Sequence, residues 1–345
     1  MRHDGRDIDI ALATLSGEGA QQIVSGEEEQ VQKFAPKPYG KVPGSEGADV
    51  TYYDRPMLKQ SVWSVDIPIY YFLGGAAGAA MTLGAAVQLA CRDCQELREF
   101  SSVCHWTGVI GSTAGAAFLI HDLGRPSRFI NMMRVFRPTS PMNMGSWILA
   151  AAAPASIATG LFINRGGFLG RVGELCGYIS GVFGTMLAGY TGVLVSNTAI
   201  PAWIAGRKWM PVLFISSGAA SAASVLDLFY ESPMAQRITL MYGTAARAME
   251  IAAAHQVERA AAEVERVAEP FRRGGTAVLW KGAEVLTAAS LVVSLLPAQS
   301  RRTRQVAGVL GLLGSFTMRF AVHYVSNASA RDARASFRQQ REGVG

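Results

Sequence analysis

Polar and apolar residues are segregated along this chain into long blocks. Charges crowd residues 1–60 and the stretch after about 330, and long apolar stretches joined by short polar connections lie between. A bilayer core of ~30 Å needs ~20 mostly apolar residues in a helix. The blocks at 67–90, 101–120, 142–163, 174–198, 210–229, 239–256, 276–296 and 306–327 have that length. They predict an all-α integral membrane protein with eight transmembrane helices. An even number puts both termini on one side. The sixth block is the least apolar, because it holds Arg247, Glu250 and His255. An interfacial amphipathic helix is the competing reading there.

Composition sharpens this pattern. Half of the 345 residues are hydrophobic, and the net charge is +6. No basic patch with interleaved aromatics points to nucleic acid, so the basic excess is read as membrane topology. Arginines and lysines in short loops are somewhat more frequent on the terminus side, which predicts termini in the cytoplasm and a multi-pass protein of the inner membrane. Residues 1–60 are polar, with Pro36, Pro38, Pro43 and Pro56. They are expected to be an extension that binds a partner or is partly disordered, with no cleavable signal. Residues 61–330 form the membrane domain and 331–345 a basic tail.

Candidate chemistry gathers around the connection 121–147, HDLGRPSRFINMMRVFRPTSPMNMGSW, which holds Arg125, Arg128, Arg134 and Arg137. Odd spans begin at the terminus side and even spans end there. Asp66 and Tyr70 therefore open the first span at that rim, and His121 and Asp122 close the second. Asn143, Ser146 and Trp147 open the third, Tyr190 and Asn197 end the fourth, and His255 and His323 approach the ends of the sixth and eighth. A quinone needs such a place. Its tail partitions into lipid while its two carbonyl oxygens need donors and a proton route. Histidine titrates near neutrality and tyrosine offers a hydroxyl on an apolar ring. The competing reading makes these residues interfacial anchors. A deeper set comprises Asp227, Arg247 with Glu250, Lys281 with Glu284, and Arg319. Ionisable groups at such depth face a bundle interior or a partner. They form either a proton path or mutually neutralising pairs that fix helix packing.

Other motifs carry less. The four cysteines are too few for a disulfide framework, and CRDC at Cys91–Cys94 has no second pair to complete a metal site. A b-type haem needs two facing histidines, for which His121, His255 and His323 are candidates. His105 lies roughly 24 Å from His121 along their helix and cannot share one haem with it. A secondary transporter is a further alternative, weakened because Pro68, Pro141, Pro201 and Pro211 fall near span ends. No nucleotide-binding or hydrolase motif is present.

The segments IPIYYFLGGAAG, DLGRPSRFINMMRVFRPTSPMNMGSW and AGYTGVLVSNTAIPAW, in that order, and the closing GLLGSFTMRFAVHY resemble the polysulfide reductase membrane-subunit family, also called NrfD-like. The resemblance covers about residues 60–330. It implies eight helices in two four-helix bundles and no covalently bound cofactor. It also implies electron exchange between the quinone pool (menaquinone or ubiquinone) and a ferredoxin-like iron–sulfur subunit, which connects to a molybdopterin catalytic subunit. Carried onto this sequence, the quinone pocket falls on Asp66, Tyr70, His121, Asp122 and Tyr190, with Asn197 in the matched motifs. Asp66, His121 and Asp122 are the expected proton-exchanging groups. Arg125, Arg128 and Arg134 are expected at the partner surface or just behind the pocket. Asp227, Arg247, Glu250, Glu284 and Arg319 are the candidate proton path.

Overall fold

The structure, a computed structural model, describes residues 58, 61, 63–90, 94–297 and 300–342, and the backbone alone at 6–9 and 14–17. The long helices are α1 (Asp66–Ala90), α2 (Gln95–Asp122), α4 (Pro141–Phe162), α5 (Gly167–Ser196), α7 (Met210–Phe229), α8 (Pro233–Ala261), α10 (Gly274–Ser294) and α11 (Arg301–Arg331). Short helices α3 (Pro126–Met132), α6 (Pro201–Ala205), α9 (Glu265–Arg272) and α12 (Ala333–Glu342) lie among and after them. Within the stretch expected to be a tail, β1 (Arg6–Asp9) pairs antiparallel with β2 (Thr14–Gly17). The expected basic tail holds α12.

Among the described residues, seven helices are long and apolar enough to cross a membrane: α1, α2, α4, α5, α7, α10 and α11. They mark a multi-pass membrane protein. The other long helix, α8, spans 29 residues where the sequence predicted 18, at 239–256. Its charges keep its hydropathy low, yet Arg247 and Glu250 are fully buried. A helix lying flat at the interface turns its charges to water. This one turns them toward its neighbours.

The helices associate in two groups. In the first, α1 packs on α2 and α5, and α4 on α2 and α5. In the second, α7 packs on α8 and α11, and α10 on α11 and α8. Helices α1 and α5 join the groups, α1 contacting α7 and α11 and α5 contacting α7. The α1 span is 72% buried, against 33% for α2. Small residues permit this. A Cβ on Gly78 would overlap the Gly184 carbonyl of α5, and one on Gly218 of α7 would lie 2.6 Å from the Gly75 carbonyl of α1. Backbones approach this closely only where glycines face one another. The rim where α1 begins is the near rim. The far rim holds Cys94, which is disulfide-bonded to a partner outside the described residues.

Candidate functional site at the near rim

Helix α2 ends at Leu123, and Gly124 takes a left-handed φ of +68° that turns the chain out of the helix. Pro126 then starts α3, whose Phe129 packs on the core of the first group. The connection is latched by one side chain. Asn143 Nδ2 donates to the carbonyls of Met132 at 2.6 Å and Val135 at 2.9 Å, while its Oδ1 accepts from Arg137 N at 2.7 Å. Ser140 caps α4 and Pro141 occupies its first turn. Asn143 thus shapes the loop around the site.

The latched loop leaves the end of α2 beside the start of α1. His121 Nδ1–H donates to Asp66 Oδ2 at 2.7 Å; the imidazole is 80% exposed and the carboxylate 18%. Ser64 joins the two acids. Its Oγ lies 2.6 Å from Asp122 Oδ1 and 2.9 Å from Asp66 Oδ2, and its backbone N–H donates to Asp122 Oδ1 at 2.9 Å. A hydroxyl has one proton, so Ser64 can donate to one carboxylate at a time. Ser64 Oγ in turn accepts from the Asp66 backbone N–H at 3.2 Å. Asp66, Ser64, Asp122 and His121 thus form one hydrogen-bonded network at a place open to water.

One turn deeper along α1, Tyr70 projects from the same face as Asp66. Its hydroxyl meets that of Tyr190 from α5, with ring centroids 6.5 Å apart. Gly145 of α4 makes room for the Tyr190 ring, which a Cβ at that position would overlap. Tyr70 is buried and Tyr190 is half-buried. The rim thus runs from a wet histidine through shared carboxylates to a pair of phenols at the edge of the apolar core.

Several predicted residues lie elsewhere. Asn197 caps α5 and returns its amide to Val193 O at 2.9 Å. Arg125 and Arg134 are exposed, and Arg128 bonds Leu123 O at 3.0 Å on the loop surface. Glu284 does not join the deep charges. It pairs at 2.8 Å with the exposed Lys281, which also bonds Glu258 at 2.5 Å. His255 is exposed, while His323 is buried in the second group, 3.4 Å from Asn327 Nδ2. Deep in the second group, Arg247 Nη2 lies 3.7 Å from Asp227, and Glu250 accepts from Ser315 Oγ at 3.3 Å. Arg319 donates to the Phe214 carbonyl at 2.8 Å and sits over that residue's ring.

A sequence model of the family described as polysulphide reductase, NrfD, matches residues 55–328. The chain belongs to that family. NrfD subunits are the membrane components of polysulfide reductase-like oxidoreductase complexes and work with iron–sulfur and molybdenum-containing partners. A comparison with curated proteins finds no match. The NrfD match takes in Ser64, Asp66, His121, Tyr190 and Arg319 and leaves β1, β2 and α12 outside.

Two residues at this NrfD rim were missing from the sequence reading. Ser64 precedes the apolar run and carries no periodic signal, although a serine two residues before an acidic helix start is a recognisable N-terminal pattern. Tyr71 is adjacent to Tyr70 but about 100° around the helix. It packs edge-on against Phe214, with ring centroids 5.7 Å apart, and lies within electrostatic reach of both Asp122 and Arg319.

Proposed function

We propose that this chain is the quinone-reactive membrane subunit of a respiratory oxidoreductase complex. It exchanges electrons between the quinone pool and a ferredoxin-like iron–sulfur subunit, which connects to a molybdopterin catalytic subunit. The observation that carries the reading is the near-rim run of His121, Asp66, Ser64 and Asp122 above the Tyr70–Tyr190 pair. The phenols donate to a quinone carbonyl, the carboxylates hold the proton that its reduction consumes or its oxidation releases, and His121 exchanges that proton with water. The protein's part is to place the head group near the partner's cluster and to govern its protonation. Arg125, Arg128 and Arg134 crown the same rim and offer the partner a basic surface.

We count α8 as the eighth spanning helix, completing two four-helix bundles, because its buried charges are shielded by α7 and α10. The disulfide at Cys94 supports a far rim facing an oxidising compartment, since such bonds persist outside the cytoplasm. The termini and the quinone site then lie on the cytoplasmic side of the cell membrane.

The test is to isolate the chain with its natural partners and assay quinone-coupled turnover. An iron–sulfur protein should accompany it, and His121→Ala should slow turnover while leaving the assembly intact. Isolation of an active complex in which His121→Ala and Tyr190→Phe both turn over at the wild-type rate contradicts the site.

A further inference from the structure

We propose that Trp63 is a positioning residue for the near-rim site: anchored against α6 and α1, it holds Ser64 between Asp66 and Asp122. The proposal deepens the quinone reading given above and rests on it for its effect on turnover.

Ser64 is the member of the near-rim network that no helix holds. Asp66 begins α1, and His121 and Asp122 end α2, so helix backbone fixes their places. Ser64 lies two residues before α1, where irregular chain has to be ordered by contacts of its own. Those contacts come from two directions. On one side Ser64 N and Oγ bond Asp122 Oδ1, and Ser64 O accepts from Ile67 N at 3.3 Å. On the other, the preceding residue Trp63 packs with Leu58 against the apolar cluster that holds Trp203 and Phe214.

The Trp63 indole stacks on that of Trp203 from α6, with ring centroids 5.8 Å and planes 28° apart, and meets the Tyr71 ring edge-on at 6.2 Å. Both walls are fixed. Trp203 is buried and its Nε1 donates to Val322 O of α11 at 3.1 Å, while Ala202 N donates to Ser329 Oγ at 3.1 Å. Tyr71 is buried and packs on Phe214. A second fastening lies two residues earlier, where Ser61 Oγ donates to Asn327 Oδ1 of α11 at 2.8 Å. The chain entering α1 is thus tied to α6 and α11 on one side and to the end of α2 on the other, with Trp63 and Ser64 adjacent at the junction.

A tryptophan that merely marks the membrane interface turns its ring to the headgroups. This one turns it inward onto a fully buried indole, and the next residue along the chain bonds both acids. Aromatic pairs of this kind prefer particular geometries, so the stack sets direction as well as burial. With Ser64 in place, Asp122 Oδ1 receives an N–H and an O–H, and the serine oxygen bridges to Asp66. Loss of the anchor lets Ser64 leave, which strips Asp122 Oδ1 of those donors and breaks the bridge while Asp66 keeps its bond to His121. Trp63 and Ser64 carry neither the electrons nor the protons of quinone turnover. They fix where the two acids stand when a proton is exchanged.

Amide hydrogen exchange and turnover, both measured on the full complex, test the anchor and its consequence separately. The amides of Ser64 and Ile67 should exchange at least about fivefold faster in Trp63→Ala, and within about twofold of wild type in Trp63→Phe, which keeps a ring against Trp203. Unchanged exchange in Trp63→Ala overturns the proposal. Ser64→Ala should slow quinone-coupled turnover about fivefold, the loss of one hydrogen bond, and Trp63→Ala should match it while Trp63→Phe restores the rate. Adding Trp63→Ala to Ser64→Ala should cost no more than about twofold further, because the indole acts through the serine. Losses that instead multiply to about 25-fold overturn the positioning role. Where Trp63→Ala does not assemble, Trp63→Leu, which keeps apolar bulk without the stack, carries the same comparisons. Failure of the quinone reading would appear as unaltered turnover in both His121→Ala and Ser64→Ala, with the exchange result still standing. Unaltered turnover in Ser64→Ala beside a slowed His121→Ala overturns the proposal alone.

Discussion

The two helix groups treat ionisable side chains in opposite ways. At the near rim of the first group His121 is open to water, Asp66 is only partly covered, and the carboxylates find partners within one local network. In the second group Arg247 and Glu250 are 0% exposed, Arg319 is 1% exposed, and both arginines have N–H groups without a hydrogen-bond partner among the described residues. Exposure lets the first set gain and lose protons at little structural cost. Burial makes the second set integral to folding, because a charge deprived of its partner in a low-dielectric interior has no solvent to turn to. One protein thus contains a site that should tolerate substitution with loss of function and a buried set of charges whose loss should cost stability.

The largest effect that would sharpen this contrast is on stability. Arg247→Leu removes the buried cation 3.7 Å from Asp227 and should cost about 3–5 kcal/mol in detergent unfolding. A cost near zero would make the buried charges dispensable and erase the difference between the groups. His121→Ala comes next. Turnover with quinone should fall on the order of 10²-fold, the usual contribution of a placed acid or base. Its thermal midpoint should not move; a drop in the midpoint would place His121 with the structural residues. Tyr190→Phe should reduce turnover about fivefold, in keeping with one lost hydrogen bond of roughly 1 kcal/mol. Combining it with Tyr70→Phe should add little, since the hydroxyls act on the same partner. The smallest effect belongs to Lys281→Met. This half-exposed, solvent-screened triad with Glu258 and Glu284 should contribute no more than about 1 kcal/mol.

The same contrast explains what could be read from the residues alone. Alternation of helix direction sufficed to bring Asp66, Tyr70, His121, Asp122 and Tyr190 to one rim, because depth along a spanning helix follows from counting. Rotation about the helix axis does not. The i,i+3 spacing correctly joined Lys281 to Glu284 but could not say that the pair faces outward, away from Arg247. Tyr70 and Tyr71 are neighbours in sequence, yet one faces the phenol pair and the other the second group. Helix α8 was underestimated because its charges lower its hydropathy, whereas their burial makes it part of the core. Ser64 and Asn143 act through bonds to a loop and a helix start, and no periodicity marks such contacts.

The central claim is that a quinone head group docks at the near rim of the first helix group. Photolabelling the membrane-embedded chain with an azido-quinone, followed by peptide mapping, tests this most directly. The account predicts label on the first turns of α1 and the last turns of α5, around Tyr70 and Tyr190, suppressed by excess unlabelled quinone. Competable label confined to the second group or to the far rim would contradict it.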